Sequence, residues 1–158
     1  YDGPVYLRFG RPKWPIFYPT DEKFEIGKAW KIQDGADVSI FATGHLVLKA
    51  IEAAKILVEQ GYTVDLINIH TIKPLDVQAV IQSVSKTKCV VTAEEHQILG
   101  GLGSAIAKVV SENTPAPIEY VGVHDKFGES GTAEQLLTKY GMSTQHVVDA
   151  ALKVMARK

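Results

Sequence analysis

Short apolar runs alternate with amphipathic helical patterns along most of this chain, and this alternation limits the fold more than any other feature. Strands are predicted over residues 27–33, 38–42, 64–69, 88–93 and 118–123. The helical spacing of apolar residues predicts helices over 45–60, from the capping residue Asp76 onward, over 101–112, before Gly141, and over 144–156. Strands separated by helices favour a mainly parallel sheet covered on both faces.

A turn of three residues, 34–36, joins the first two predicted strands. Parallel neighbours need a crossover of a dozen or more residues, whereas an antiparallel pair closes over a short turn. The turn therefore favours antiparallel pairing of the first strand with the second. We expect an α/β fold: a three-layer αβα sandwich with a five-stranded, mostly parallel sheet that has one antiparallel strand.

The composition excludes several classes of protein. The chain has 158 residues, of which 46% are hydrophobic, and this is enough for one domain with a sizeable core. Its formal net charge of -1 offers no basic field to nucleic acid or to an anionic membrane, and its apolar runs are too short to cross a bilayer. The single cysteine, Cys89, cannot form an internal disulfide. We expect a cytoplasmic protein that binds neither nucleic acid nor membrane.

Residues 1–22 differ from the rest of the chain. Residues 3–9 resemble an edge or final strand, and the prolines of residues 10–22 favour an extended linker. We therefore place a domain boundary here, so that residues 1–22 end one domain and residues 23–158 form another.

Three aromatic residues in the linker, Trp14, Phe17 and Tyr18, indicate that it lies against an apolar surface. The chain begins with Tyr1 and shows no signal-peptide pattern. We expect a fragment or a processed product of a longer protein.

Two acids and a histidine, Glu94, Glu95 and His96, follow a predicted strand and precede a glycine-rich helix start. In an open α/β sheet, ligands and partners usually dock at the carboxyl ends of the strands. These side chains could carry acid–base chemistry or bind a metal, but a metal site needs further ligands at a suitable spacing. The other histidines form no H-E-x-x-H pattern, so we expect no metal and favour a strand-end loop at a domain interface.

The glycines that follow this segment have two interpretations. Gly101 and Gly103, with Ser104 beside them, could cradle an anion on the free N–H groups of a helix start. The dinucleotide-binding fingerprint would need a third glycine where the chain has Ile106, and the P-loop lysine is absent. Close backbone packing is therefore the favoured role, and an anion site is the secondary one.

A serine between glycines, Ser130, invites comparison with a hydrolase nucleophile. The nucleophile elbow is G-x-S-x-G, and here the second glycine comes one residue early. We therefore expect a turn or capping residue. Just beyond it, Thr132 and Gln135 fit the capping box of a short helix.

Three segments together resemble one family. They read EEHQILGGLGSAI from Glu94, TIKPLD from Thr71, and FGESG from Phe127 followed by AEQLLTKYGMSTQHVVDAALKV. Their residues, order and spacing are similar to those of the C-terminal domain of transketolase-like, thiamine-diphosphate-dependent enzymes. The resemblance covers essentially the whole chain and implies the same five-stranded αβα sandwich.

The resemblance also implies roles for individual residues. Residues 1–22 would be the end of the family's pyrimidine-binding domain plus the linker, and Arg11 would hold a substrate phosphate in the complete enzyme, for which a guanidinium is well suited. Glu95 and His96 would lie at the interface with the pyrimidine-binding domain. The chain itself would supply no catalytic residue.

For function, the resemblance implies transfer of a two-carbon ketol unit between sugar phosphates, as in the pentose phosphate pathway. Thiamine diphosphate and Mg²⁺ would serve the complete enzyme, but the family's GDG…N diphosphate motif is absent from this chain. We therefore expect the isolated chain to be inactive and to bind no cofactor. Its partners would be the N-terminal portion or subunit and a second copy in a homodimer.

Two alternatives remain open. The same domain occurs in 1-deoxyxylulose-5-phosphate synthase and in the β subunit of 2-oxoacid dehydrogenase first components, although the FGESG and TIKPLD wording and Arg11 favour transketolase. The second alternative is a stand-alone module. It would serve in interactions, or it would bind a phosphate or nucleotide at the glycine-rich helix start.

Overall fold

The computed structural model describes residues 1–7, 10 and 15–158. Within these residues the predicted alternation of strands and helices is confirmed. The elements are β1 (Trp30–Gln33), β2 (Val38–Ala42), α1 (Leu46–Glu59), β3 (Val64–Asn68), α2 (Val77–Thr87), β4 (Val90–Gln97), α3 (Leu102–Asn113), β5 (Ile118–Val123), α4 (Ala133–Lys139) and α5 (Thr144–Met155).

The five strands form one sheet in the order β1-β3-β2-β4-β5. Strands β2 to β5 run parallel, and β1 runs antiparallel to β3. The expectation of one antiparallel strand is confirmed, but its predicted pairing with β2 is wrong. Residues 34–37 do not close a hairpin, because they carry the chain across the start of β3. Only glycine fits at that crossing, since a Cβ on Gly35 would lie 2.3 Å from the backbone of Val64.

Helices cover both faces of the sheet, which confirms the three-layer sandwich. One face carries α1, α4 and α5, whose inward residues include Leu57, Leu137 and Val148. The other face carries α2 and α3, whose inward residues include Val84 and Ile106. Burial of these apolar side chains is the main favourable term in the stability of such a fold.

Side chains close the helix starts that the sequence marked. Asp76 accepts a hydrogen bond from the N–H of Ala79 at 3.1 Å and a second from Ala29 at 3.1 Å, so the cap of α2 also ties down the chain before β1. The capping box of Thr132 and Gln135 at α4 is confirmed.

A buried polar network lies between β2, β3 and α2. Asp65 is fully buried, accepts a hydrogen bond from the Ser83 hydroxyl at 2.5 Å, and faces the ammonium groups of Lys31 at 3.0 Å and Lys86 at 3.3 Å. Ser39 extends the network, with its hydroxyl 2.6 Å from that of Ser83. The carboxylate of Asp65 is therefore neutralised by two cations that also reach solvent.

Arg157, just beyond α5, lies against the outer edge of β5. Its guanidinium donates to the carbonyl oxygen of Ile118 at 3.2 Å and pairs with Glu119. At the opposite edge of the sheet, β1 has four residues and a register shift between Lys31 and Gln33.

The N-terminal residues only partly match their prediction. Residues 3–7 are exposed and pair with none of the five strands, so the predicted strand is wrong for these residues; Arg8 and Phe9 lie outside the described residues. The predicted apolar packing of the linker is confirmed where it can be seen. The ring of Tyr18 stacks on Trp30 with centroids 4.2 Å apart.

Phe17 packs against the core, and Trp14 lies outside the described residues. Along the described part of the chain, no helix is both long enough and apolar enough to cross a membrane.

Candidate functional site

The carboxyl ends of β2 and β4 lie side by side where the sheet reverses its direction of growth. From β2 the chain proceeds outward to β3, and from β4 it proceeds the opposite way to β5. Such a switch point leaves a crevice in which α/β proteins bind ligands and partners. Here the crevice is a cleft of about 510 Å³, and its lining includes Thr43, Gly44, His45, Glu94, Glu95, His96, Gly100 and Gly101.

A β-bulge shapes the β4 side of the cleft. The predicted strand ends at residue 93, but β4 continues to Gln97, so the expected strand-end loop is wrong. Between the pairs Ala93–Val121 and Gln97–Val123, β4 advances four residues while β5 advances two. Bulges re-aim side chains and are frequent next to functional sites. As a result, consecutive residues of β4 face very different surroundings.

The opposite strand accommodates the bulge through Gly122. A Cβ at this position would lie 2.8 Å from the Ile98 side chain and 3.0 Å from the carbonyl oxygen of His96. Glycine is therefore required on β5 because the bulged backbone of β4 presses against it.

Glu94 points inward from the bulge and is 1% exposed. Its carboxylate accepts hydrogen bonds from the N–H groups of Leu102 at 2.7 Å and Gly103 at 2.8 Å. A negative charge at this position also complements the partial positive charge of the helix start. Glu94 therefore caps α3 from a neighbouring strand.

The glycines and the serine after the bulge serve this cap. A Cβ on Gly101 would lie 2.1 Å from a carboxylate oxygen of Glu94, and one on Gly103 would lie 2.7 Å from the ring of Tyr120. The Ser104 hydroxyl accepts from the N–H of Gly100 at 2.8 Å and donates to a backbone carbonyl. The favoured role of these glycines in close packing is confirmed. The N–H groups that an anion would need already donate to Glu94, so the geometry gives an anion site no support.

Glu95 and His96 face the cleft and solvent. A carboxylate oxygen of Glu95 lies 2.6 Å from Nδ1 of His45, and both side chains are partly exposed. His96 is 65% exposed, and its Nδ1 donates to the carbonyl oxygen of Gln97 at 2.8 Å. His45 is the cleft residue that sequence patterns single out least, since its only signal is its position just after a buried strand.

His70 and Ser130 do not line the cleft. The rings of His70 and Phe24 pack at a tilted angle with centroids 4.4 Å apart, and burial lowers the pKa of this histidine. Ser130 is exposed in the loop before α4. Arg11 lies outside the described residues. Among the residues that are described, no three His, Cys, Asp or Glu side chains converge on a point where a metal could bind.

A family model for the C-terminal domain of transketolase matches residues 27–147, which is most of the chain. The chain belongs to the transketolase C-terminal domain family. The resemblance carried by EEHQILGGLGSAI and the other two segments is thus confirmed, and the family is thiamine-diphosphate dependent.

Several relatives of this transketolase domain are described as subunits or sections. The chain is 46% identical over its full length to the 6-deoxy-6-sulfo-D-fructose transketolase subunit of Clostridium sp. (strain MSTE9), of which it covers 49%. It is 38% identical to a putative transketolase C-terminal section of Methanocaldococcus jannaschii and covers 50% of it. The chain therefore spans about half the length of these relatives.

Solved structures agree with the fold. A split-gene transketolase, described as an inactive β4 tetramer, superposes with a TM-score of 0.87 at 43% identity, over 90% of this chain and 46% of that one. Transketolase from Leishmania mexicana superposes with a TM-score of 0.62 at 23% identity, over 83% of this chain and 18% of that one, and shows the fold alone.

The described residues do not fit the family's cofactor. A diphosphate needs free N–H groups or cations, whereas the N–H groups at the start of α3 are taken by Glu94. Glu94 and Glu95 would also place two carboxylates beside its phosphates. The described residues of this domain therefore supply no group suited to hold thiamine diphosphate.

Proposed function

We propose that this chain is the C-terminal domain or subunit of a transketolase and that it completes the enzyme by docking onto the remainder through the carboxyl edge of its sheet. The observation that carries the proposal is an uncovered apolar surface at that edge. Ile72, which lines the cleft, is 40% exposed, and Leu99 and Phe127, in the loops that follow β4 and β5, are 69% and 97% exposed. Apolar patches of this kind, bordered by polar residues, are typical of protein–protein interfaces.

Glu95 and His96 are the polar part of this proposed interface. The bulge of β4 turns both side chains outward, and the imidazole of His45 holds the Glu95 carboxylate at 2.6 Å. Their place at the switch point supports a role in recognition of the neighbouring domain. Residues 1–22 would belong to that neighbouring domain and its linker, with Arg11 reaching the substrate.

The reaction we propose is transfer of a two-carbon ketol unit from a ketose that carries an anion at its far end. A sugar phosphate is the substrate that the family resemblance implies. The relative named for 6-deoxy-6-sulfo-D-fructose raises a sulfonated ketose as a second source of the same tetrahedral anion. Arg11 suits either group, because a guanidinium donates two hydrogen bonds in one plane. Thiamine diphosphate and Mg²⁺ would be held by the remainder of the enzyme.

Complementation tests the proposal. The chain is mixed with the separately produced remainder of the enzyme, and ketol transfer is followed with a ketose phosphate and with 6-deoxy-6-sulfo-D-fructose as donors. We expect no turnover from either part alone and turnover from the mixture, and the preferred donor identifies the anion. Calorimetry of the chain with thiamine diphosphate and Mg²⁺ should show no binding. Cofactor binding by the chain alone, or no association with the remainder, would refute the proposal.

A homodimer, the pentose phosphate pathway and a cytoplasmic location complete the proposal. The buried single thiol of Cys89 supports the location, since it suits a reducing compartment. Size-exclusion chromatography with light scattering on the reconstituted enzyme would test the homodimer.

One relative favours a second candidate function. The 1-deoxy-D-xylulose-5-phosphate synthase of Caldanaerobacter subterraneus is 34% identical over 96% of this chain, although the chain covers only 25% of it. Formation of 1-deoxyxylulose 5-phosphate by the reconstituted enzyme, in place of ketol transfer, would favour this reaction. The relatives described as subunits are covered to about half of their length, and this favours transketolase.

A further inference from the structure

The loop between β5 and α4, residues 124–132, presents one aromatic side chain entirely to solvent. Phe127 is 97% exposed, in a stretch where every residue from 124 to 132 is exposed. A single exposed apolar residue is common on protein surfaces and needs no explanation by itself. What distinguishes Phe127 is the way in which its loop is held.

Three contacts fix this loop without covering the ring. The Tyr140 hydroxyl donates to the carbonyl oxygen of Phe127 at 2.7 Å. The Lys139 ammonium pairs with Glu129 at 2.7 Å. At the start of the loop, the N–H of Asp125 donates to the side chain of Gln97, at the end of β4, at 3.2 Å. These bonds order the backbone around an aromatic ring that gains no burial from them.

A loop that is ordered in the free protein favours binding when its exposed ring becomes buried against a partner. Much of the cost of binding is the ordering of loops and side chains at an interface, and a loop that is already ordered avoids it. Phe is enriched at the cores of interfaces, and buried anchors in pockets on the partner carry much of the binding energy. Phe127 is an aromatic residue on a loop that is already ordered in the free protein.

The position of the loop indicates which partner this is. Through Asp125 and Gln97 the loop is tied to the carboxyl end of β4, the edge that carries Leu99 and the cleft. The exposed apolar residues near the amino edge, Val58 and Tyr62, are only 49% and 37% exposed. Phe127 therefore lies at the same edge of the sheet as the surface proposed above to meet the remainder of the enzyme.

We propose that Phe127 is the anchor of this interface, that its ring enters an apolar pocket on the remainder of the enzyme, and that Tyr140 holds it ready. The inference rests on the proposed docking of the carboxyl edge and adds the residue on which that docking depends.

The test measures association of the chain with the remainder of the enzyme by calorimetry. Phe127→Ala should weaken the Kd by about tenfold or more, because it removes the anchor. Tyr140→Phe keeps the ring of Tyr140 and removes only its hydroxyl, so it should weaken the Kd by about threefold. The matched control is Val58→Ala, which removes an exposed apolar side chain near the amino edge and should leave the Kd within about twofold. Phe127→Ala should not change the melting temperature, since its ring is exposed.

The combined variant separates an anchor from an unrelated surface effect. If Tyr140 acts by holding Phe127, then Tyr140→Phe should cost little more in a chain that already carries Phe127→Ala. Wild-type binding with an unchanged Kd for Phe127→Ala would overturn the anchor and leave the proposed function standing. Loss of self-association by Phe127→Ala, with full affinity for the remainder, would make a second copy the partner and also overturn it. Failure of the wild-type chain to bind would refute both proposals.

Discussion

The two ends of the sheet each bury a carboxylate on a strand, and they satisfy it in opposite ways. Near the amino end, Asp65 is held by side chains: the hydroxyl of Ser83 and the ammonium groups of Lys31 and Lys86. At the carboxyl end, Glu94 is held by the backbone N–H groups of α3. Both carboxylates are almost completely shielded from solvent.

The difference bears on which polar side chains stay exposed at each end. The hydroxyl and ammonium groups around Asp65 all contact its carboxylate, so these side chains form a closed network near the amino end. The hydrogen bonds to Glu94 come from the backbone of α3, with Nδ1 of His96 farther away at 4.0 Å, and Glu95 and His96 stay exposed at the cleft. When the backbone satisfies a buried carboxylate, as it does for Glu94, nearby polar side chains can stay exposed.

The largest effect is expected at the amino end, where backbone meets backbone. Gly35→Ala would place a Cβ 2.3 Å from the backbone of Val64, which cannot move aside as a side chain can. We expect the free energy of unfolding to fall by about 3 kcal/mol. Urea denaturation measures it, with Gly128→Ala as control, because nothing lies within 4 Å of a Cβ there. Equal stabilities of the two variants would contradict the close crossing of β3.

Glu94→Gln should have the next largest effect. The variant keeps the volume of the side chain but has only one acceptor oxygen for two N–H groups, at Leu102 and Gly103. We expect a loss of about 2 kcal/mol in the free energy of unfolding. Glu95→Gln, on the exposed side of the bulge, is the control and should change stability by less than about 0.5 kcal/mol. The same loss in both variants would mean that Glu94 is not the cap of α3.

Asp65→Asn should cost less than Glu94→Gln. The lysines that face Asp65 are 48% and 34% exposed, so water can solvate them once their partner is neutral. We expect a loss of about 1 kcal/mol. Because two cations contribute, this loss should shrink in 1 M NaCl, whereas the loss in Glu94→Gln should stay the same. Unfolding curves of both variants at two salt concentrations make the comparison, and an equal salt dependence would refute it.

The smallest expected effect is on the stability of the protein at acidic pH. The ammonium groups of Lys86 and Lys31 lower the pKa of Asp34 to about 2 from its usual 3.8. A lowered pKa in the folded state means that this group stabilises the protein above pH 3.8 and that the contribution disappears as the pH falls towards 2. Asp34→Asn should therefore reduce the pH dependence of stability in this window. Melting temperatures between pH 5 and pH 2 measure it, and identical curves for variant and wild type would exclude the effect.

Much of the fold could be predicted because local patterns determine it. The alternation of apolar runs with helical spacing gave every strand and helix, and Asp76 and Thr132 marked helix starts that the structure confirms. The pairing of β1 could not be predicted from its short connection to β2. A connection of this length can close a hairpin between two neighbouring strands, but it can also cross the end of a third strand that lies between them, as it does here. Gly35 carried the only local signal, and its cause lies on another strand.

At the site, the sequence identified the right segment and misjudged its shape. Glu94, Glu95 and His96 are adjacent in sequence and were treated together as a loop, but a β-bulge separates them into one buried cap and two exposed residues. A bulge depends on the register against β5, which no property of residues 94–96 reveals. The place of His45 beside Glu95 is likewise a matter of sheet order.

The guarded edges of the sheet limit how this protein can associate with itself. Strand addition needs a row of open N–H and C=O groups, and these open rows are also where amyloid-like aggregation begins. At β5, Arg157 already donates to the carbonyl of Ile118 and meets Glu119, and at the other edge β1 is short and irregular. Both edges of the sheet therefore resist the strand addition by which copies of this chain would grow into fibrils.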